Sequence, residues 1–203
     1  LVETIPDKLT SPELSRPAQT KRRKSYAKDE LRVEEQQKVR DWHLQNVIQV
    51  TGTEQGITFR LSGDALFNKG SAELTERGIF ALYYIAGELI QFPSNPILIK
   101  GHTDNSPSQK ENGNWLLGAD RAYSVMKYLT EEGCEYGQVD KRRITYESFA
   151  DTDPLPDVDE NTVIGQAVNR RVEITLVQTD DGDGTYFENP IVKDPRTPLI
   201  FLG

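Results

Sequence analysis

The chain has 203 residues, with 24 Lys+Arg against 32 Asp+Glu, a formal net charge of -8 and 36% hydrophobic residues. That length suits one domain of ordinary size with appendages and excludes two large ones. No run approaches the roughly 18 consecutive apolar residues of a membrane span, and no signal-peptide pattern is visible. A single cysteine, Cys134, excludes an intramolecular disulfide and any multi-cysteine metal site, and two histidines, His43 and His102, are a poor basis for zinc. Neither a metal nor a cofactor is expected.

The charge is uneven. Residues 1–40 carry ten Lys+Arg against seven Asp+Glu, whereas the remainder carries 14 against 25. A body this acidic repels a phosphate backbone, so nucleic acid is not an expected partner. The basic run Lys21-Arg22-Arg23-Lys24 reads as a solvated part of a linker, the alternative being a patch for an anionic surface.

Residues 1–28 read as a flexible linker, interrupted by Pro6, Pro12 and Pro17 and poor in apolar periodicity. Residues 29–55 read as a helix and a connecting strand. The helix, from Asp29 to about Leu44, has too few apolar residues for a wide buried stripe, and is expected to be solvent-facing or self-associating. Residues 56–178 read as the main domain, opening with the alternating strand Ile57-Thr58-Phe59-Arg60-Leu61. A loop follows from Leu66 to Leu74. Thr75 then caps a helix whose apolar face is Ile79, Leu82, Tyr83, Ala86, Leu89 and Ile90. Pro93 and Pro96 forbid its continuation.

Ile97-Leu98-Ile99 reads as a central strand ending in Gly101-His102-Thr103-Asp104-Asn105. A second helix spans about Asn114 to Glu132 with Gly133 as its stop. A strand at Ile144 to Phe149, a short helix at Thr162 to Ala167 and a last strand at Val172 to Leu176 complete the pattern. Alternating strands and helices predict an α/β or α+β sandwich, a mixed sheet with helices on one face. Residues 179–203, rich in Gly, Asp and Pro, read as an extended tail.

Chemistry is expected where the central strand ends, since open sheets bind ligands there. Asp104 stands at that point, and Arg121 on the following helix can reach back toward it. Such a pair is either an internal ion pair or a two-pronged clamp, the carboxylate for an ammonium and the guanidinium for a carboxylate. Spacing alone leaves both open. An enzyme reading, with Asp104 beside His102 or Glu73 as acid and base, has no paired carboxylates, nucleophile elbow or Cys–His couple behind it. The acidic stretches at 151–160 and 180–184 do not match the spacing of an EF-hand loop.

The order of GHTDN at 101–105, Asn114, Leu117, Asp120-Arg121-Ala122, Val125 and NRRVEI at 169–174 resembles the OmpA-like peptidoglycan-binding domain, over roughly residues 56–178. FNKGSAEL at 67–74, Asp104-Asn105-Ser106-Pro107 and Asn114-Trp115 are similar to the periplasmic region of the flagellar stator B subunit, the MotB type. The resemblance implies a βαβαβ domain that holds the diaminopimelate-bearing stem peptide of the cell wall without cleaving it. By matching position, Asp104 takes the ammonium and Arg121 the carboxylate, while Thr103, Asn114, Leu117 and Arg170 line the same pocket. It also implies peptidoglycan as partner, a homodimer and a MotA-type membrane partner. The chain would then be the periplasmic fragment of an inner-membrane protein, its membrane-spanning segment lying outside it. The alternatives are a general OmpA-type envelope anchor and a docking or dimerisation module without wall binding. Gly118 departs from the family's usual Ser, and Asp120 is placed to compete for the Arg121 guanidinium. A few charge-assisted bonds of about 1.5–3 kcal/mol each give micromolar-to-millimolar affinity, which suits a tether with several grips on one polymer.

Overall fold

The computed structural model describes residues 25–108, 112–179 and 186–187. A two-residue strand β1 (Ser25–Tyr26) leads into α1 (Lys28–Asp41), then β2 (Ile48–Gly52), β3 (Gly56–Ser62), the single turn α2 (Gly63–Leu66) and α3 (Glu76–Gln91). Next come β4 (Ile97–His102), α4 (Gly113–Lys127), β5 (Ile144–Ala150), α5 (Val163–Asn169), β6 (Arg171–Val177) and a last short strand β7 (Tyr186–Phe187). Five strands form one sheet in the order β2-β3-β6-β4-β5. Only β4 and β5 run parallel, joined by the α4 crossover; the other neighbours are antiparallel. The expected mixed sheet is present.

Strand alternation explains which face is covered. In register, Ile57 lies opposite Leu176 and then Ile97, and Phe59 opposite Ile174 and then Ile99. All six are buried, and α1, α3 and α4 add Leu31, Val39, Leu82, Ile85, Leu89 and Val125 to the same core. Each fully buried aliphatic chain of this kind contributes about 1.5–3 kcal/mol. The alternate positions form a polar face. There Arg60 pairs with Glu173 at 3.0 Å, Arg171 with the same carboxylate at 2.8 Å, and the Thr58 and Thr175 hydroxyls lie 2.8 Å apart. Arg171 therefore points away from the apolar core, as the alternation requires.

Helix α1 corrects an expectation. It is neither solvent-facing nor free to self-associate along its whole length, because it docks on β2 and β3 through one row, Leu31, Glu35 and Val39, all buried. The central member of that row, Glu35, is an acidic side chain, and its partners come from α1 itself and from α3. The Lys38 ammonium donates to Glu35 and to Glu88 of α3, both at 2.8 Å. The Tyr84 hydroxyl donates to Glu35 at 3.1 Å, and the Gln91 amide to Glu88 at 2.9 Å. Burial pushes the Glu88 carboxyl well above its ordinary range, with Glu35 adding to the effect and Lys38 opposing it. The sparse apolar count of this helix misled because charge pairing does part of the docking.

Thr75 caps α3 by accepting from the Gly78 amide at 2.9 Å, and Thr162 caps α5 in the same way. The second long helix ends α4 at Lys127 and continues as a π-helical turn, Tyr128–Glu132, stopped by Gly133 at φ 64°. Most of the N-terminal linker and of the C-terminal tail lies outside the described residues. Within the tail, Tyr186 and Phe187 pair antiparallel with Tyr26 and Ser25, so the chain returns to the strand that enters α1.

Candidate functional site

The strand order places three chain segments around one cleft. The loop leaving β4 carries Thr103 and Asp104, the first turns of α4 carry Asn114, Leu117 and Arg121, and the turn between α5 and β6 carries Arg170. All six line a cavity of about 1200 Å³, closed on its remaining side by Asp64 of α2 and the loop from Phe67 to Ala72. Every site residue expected from the sequence is on this one cavity.

Arg121 is delivered by a close helix–sheet approach. A Cβ on Gly101 would overlap the Gly118 carbonyl, and one on Gly118 would overlap the Ser148 hydroxyl. The departure from Ser at Gly118 thus has a packing reason: α4 sits backbone to backbone on β4, which sets Arg121 deep in the cleft. Arg121 is only 4% exposed. Its Nε donates to the Ser71 carbonyl at 3.1 Å, and the guanidinium lies over the Phe67 ring, 5.1 Å from its centroid. No carboxylate among the described residues pairs with it. Burial lowers its pKa below the usual arginine value, against the pull of Asp64 and Asp104. A buried guanidinium with its two Nη groups free of carboxylates among the described residues is a fork ready for an external one.

Asp104 is held in its ionised form. Its Oδ1 accepts from the Ser106 amide at 3.0 Å, and its Oδ2 from Arg170 Nη1 at 2.5 Å. Burial works against ionisation, but those bonds prevail and keep the carboxyl below the usual range. The direct ionic partner of Asp104 is therefore Arg170, not Arg121. Arg170 in turn grips Asp64 with two parallel bonds of 2.7 Å each. Asp64 escaped the sequence reading because it falls on a single helical turn outside the motifs. Phe67 and Ser71 lay within a quoted motif, yet nothing local ties them to Arg121 across some 50 residues.

The remaining residues are supports. The Thr103 hydroxyl donates to the Asp104 carbonyl at 3.0 Å, and the Thr103 amide to Ala150 at 2.8 Å, fixing the strand exit. The Asn114 amide donates to the Ser106 carbonyl at 3.1 Å, tying the Asp104 loop to α4. Leu117 supplies half-buried apolar wall. Asp120 lines the cavity, but no bond joins it to Arg121.

His102 does not face Asp104. It is wholly buried on the polar face of the sheet, stacked on Phe149 with ring centroids 5.4 Å apart. Among the described residues neither ring nitrogen has a hydrogen-bond partner, and burial with Arg171 alongside drops its pKa to about 3. It is a packed neutral ring, out of reach of the cleft.

Known proteins share the fold. Residues 66–170 match the OmpA family model. Motility protein B of Bacillus subtilis is 25% identical over 141 residues, which cover 68% of this chain and 52% of that protein. This chain spans between 49% and 64% of the length of four curated relatives, that one included. Among solved structures, a MotB-like protein of Desulfovibrio vulgaris superposes with a TM-score of 0.66 at 27% identity, covering 74% of this chain and 90% of the other. The cell wall anchor of the T6SS from Pseudomonas aeruginosa gives 0.57, also at 27% identity, covering 74% and 94%. The family match takes in more than half of the residues, from the end of α2 through α5 and so including β4, α4 and β5, and the chain belongs to the OmpA family.

Proposed function

We propose that this chain is a non-catalytic anchor that binds the diaminopimelate end of the peptidoglycan stem peptide. The observation that carries the reading is Arg121, buried yet free of any protein carboxylate among the described residues, on the same cleft as an ionised Asp104. In this reading the ligand carboxylate takes both Nη groups of Arg121, and its ammonium lies against Asp104. Thr103 and Asn114 hold the Asp104 loop in place, and Leu117 covers the methylene chain.

Likeness to Motility protein B and to a MotB-like structure supports the finer assignment, a stator anchor on the periplasmic side of the inner membrane. There it would act as a homodimer beside a MotA-type membrane partner, engaged through a membrane-spanning segment. No helix among the described residues is long and apolar enough to cross a membrane. Two linked copies would turn modest single-site affinity into a durable hold on one polymer.

Sedimentation with insoluble sacculi tests the proposal. The parent protein pellets with sacculi containing diaminopimelate, and Asp104→Ala and Arg121→Ala each remain in the supernatant. If both variants pellet as the parent does, the clamp is wrong and the chain is a docking module of the envelope.

A further inference from the structure

The reading above uses Arg121 and Asp104 and leaves the ion pair of Arg170 with Asp64 without a task. Asp64 stands on α2, immediately after Gly63. The Gly63 amide donates to the Arg170 carbonyl at 2.7 Å, and a Cβ on Gly63 would meet that same carbonyl at 2.6 Å. Backbone contact therefore fixes the Asp64 segment against Arg170. The side chains complete the arrangement. Asp64 occupies the Nε–Nη2 edge of the guanidinium, which leaves only Nη1 to reach Asp104.

We propose that Asp64 is a positioning residue of the cleft: by holding Arg170 on one edge it limits Arg170 to a single bond with Asp104, so that Asp104 stays available to a ligand ammonium. This rests on the reading of Asp104 as the ammonium acceptor. The charge balance points the same way. Among the described lining residues Asp64, Asp104 and Asp120 offset Lys69, Arg121 and Arg170, so the set is neutral and matches a ligand end that is itself neutral, one ammonium with one carboxylate. Without Asp64 the set is cationic, and a freed Arg170 can turn its whole fork onto Asp104. Such a cleft still attracts a carboxylate but no longer an adjacent ammonium. Asp64 thereby sets specificity for a zwitterionic end over a plain acid through its hold on Arg170.

Calorimetric titration with meso-2,6-diaminopimelate and with pimelate, its analogue lacking both amines, tests this in the intact chain. Asp64 is half exposed, at 52% of its side chain, so Asp64→Asn is expected to fold. It should lose about tenfold in diaminopimelate affinity, the scale of one charge-assisted bond, with pimelate binding unchanged or tighter. Asp64→Glu should recover most of the loss. In an Arg170→Gln background, Asp64→Asn should add nothing. Equal loss for both ligands, no loss for diaminopimelate, or full additivity with Arg170→Gln would each overturn the proposal. A second readout does not depend on wall binding. The carboxyl carbon of Asp104, followed by NMR through an acid titration, should shift to a lower midpoint in Asp64→Asn, and the Arg170→Gln background should abolish that shift. A parent that ignores diaminopimelate would refute the anchor reading, whereas an unmoved Asp104 midpoint would refute the role of Asp64.

Discussion

The carbonyl of Gly118 lies where a Cβ of Gly101 would stand, so helix α4 meets strand β4 with no side chain between them. This contact governs the depth at which Arg121 enters the cleft. Gly101→Ala must push the helix outward, and overpacking of that kind costs about 1–3 kcal/mol. Urea denaturation should show a lowered midpoint for Gly101→Ala, and sacculus binding should weaken beyond what the stability loss explains. A variant as stable as the parent would show that the helix can yield freely.

Arg121→Lys keeps the charge and discards the fork. A lysine cannot donate two parallel bonds while bonding Ser71 and lying flat on Phe67. Co-sedimentation should fall by about tenfold relative to the parent, with thermal stability close to unchanged. Retention equal to the parent would mean that only a point charge is needed.

Binding should be insensitive to mild acid. Asp104 is ionised through its bonds to Arg170 and Ser106, with its folded pKa below the ordinary 3.8. A depressed carboxyl remains charged above that value and is lost only as pH falls through the lower folded one. Sacculus retention measured from neutrality to about pH 5 should therefore be flat. A decline across that window would place another group in control.

His102 carries the opposite consequence for stability. Its folded pKa, about 3, lies below the unfolded value of 6.5. The unfolded chain binds the extra proton first, so stability is full above 6.5 and drains away as pH falls toward 3. At about pH 5 the loss attributable to this ring is on the order of 2 kcal/mol. His102→Leu should flatten the difference in unfolding free energy between about pH 7 and pH 5; an unchanged slope would show that the ring escapes to solvent.

Lys38 and Glu88 make a further contrast. Lys38→Met strands Glu35 and Glu88 in the core beside one another, at a cost of about 3–5 kcal/mol. Glu88→Gln, which replaces a carboxyl already resisting ionisation, should cost far less. Thermal melts of the two variants should separate clearly, and equal melting temperatures would contradict the pairing geometry.

The sequence made the strand pattern legible because one face of each central strand is apolar at every second residue, as at Ile57, Phe59 and Leu61. It marked Asp104 and Arg121, at a strand exit and on the helix that follows, but only the resemblance to the OmpA-like domain implied a clamp. What stayed hidden depends on distance along the chain. Glu35 lies on a helix whose sparse apolar residues predict a solvent-facing or self-associating element, yet Lys38 and Tyr84 close around it. Asp104 is paired by Arg170, 66 residues away, and Asp64 reaches Arg170 across 106. Nothing in local periodicity encodes such meetings, since they follow from the order in which strands lie side by side. Gly118, which the resemblance marks only as a departure from Ser, is where α4 meets β4 backbone to backbone.

That strand order also ranks the parts of the molecule by mechanical exposure. A load entering at Ser25 would first unzip the two-residue ladder with Phe187, then peel α1 and the edge strand β2. Strands β6 and β4, which present Arg170 and Asp104, are enclosed by neighbours on both sides. A pull from that end would spend itself on the periphery while the grip stayed closed.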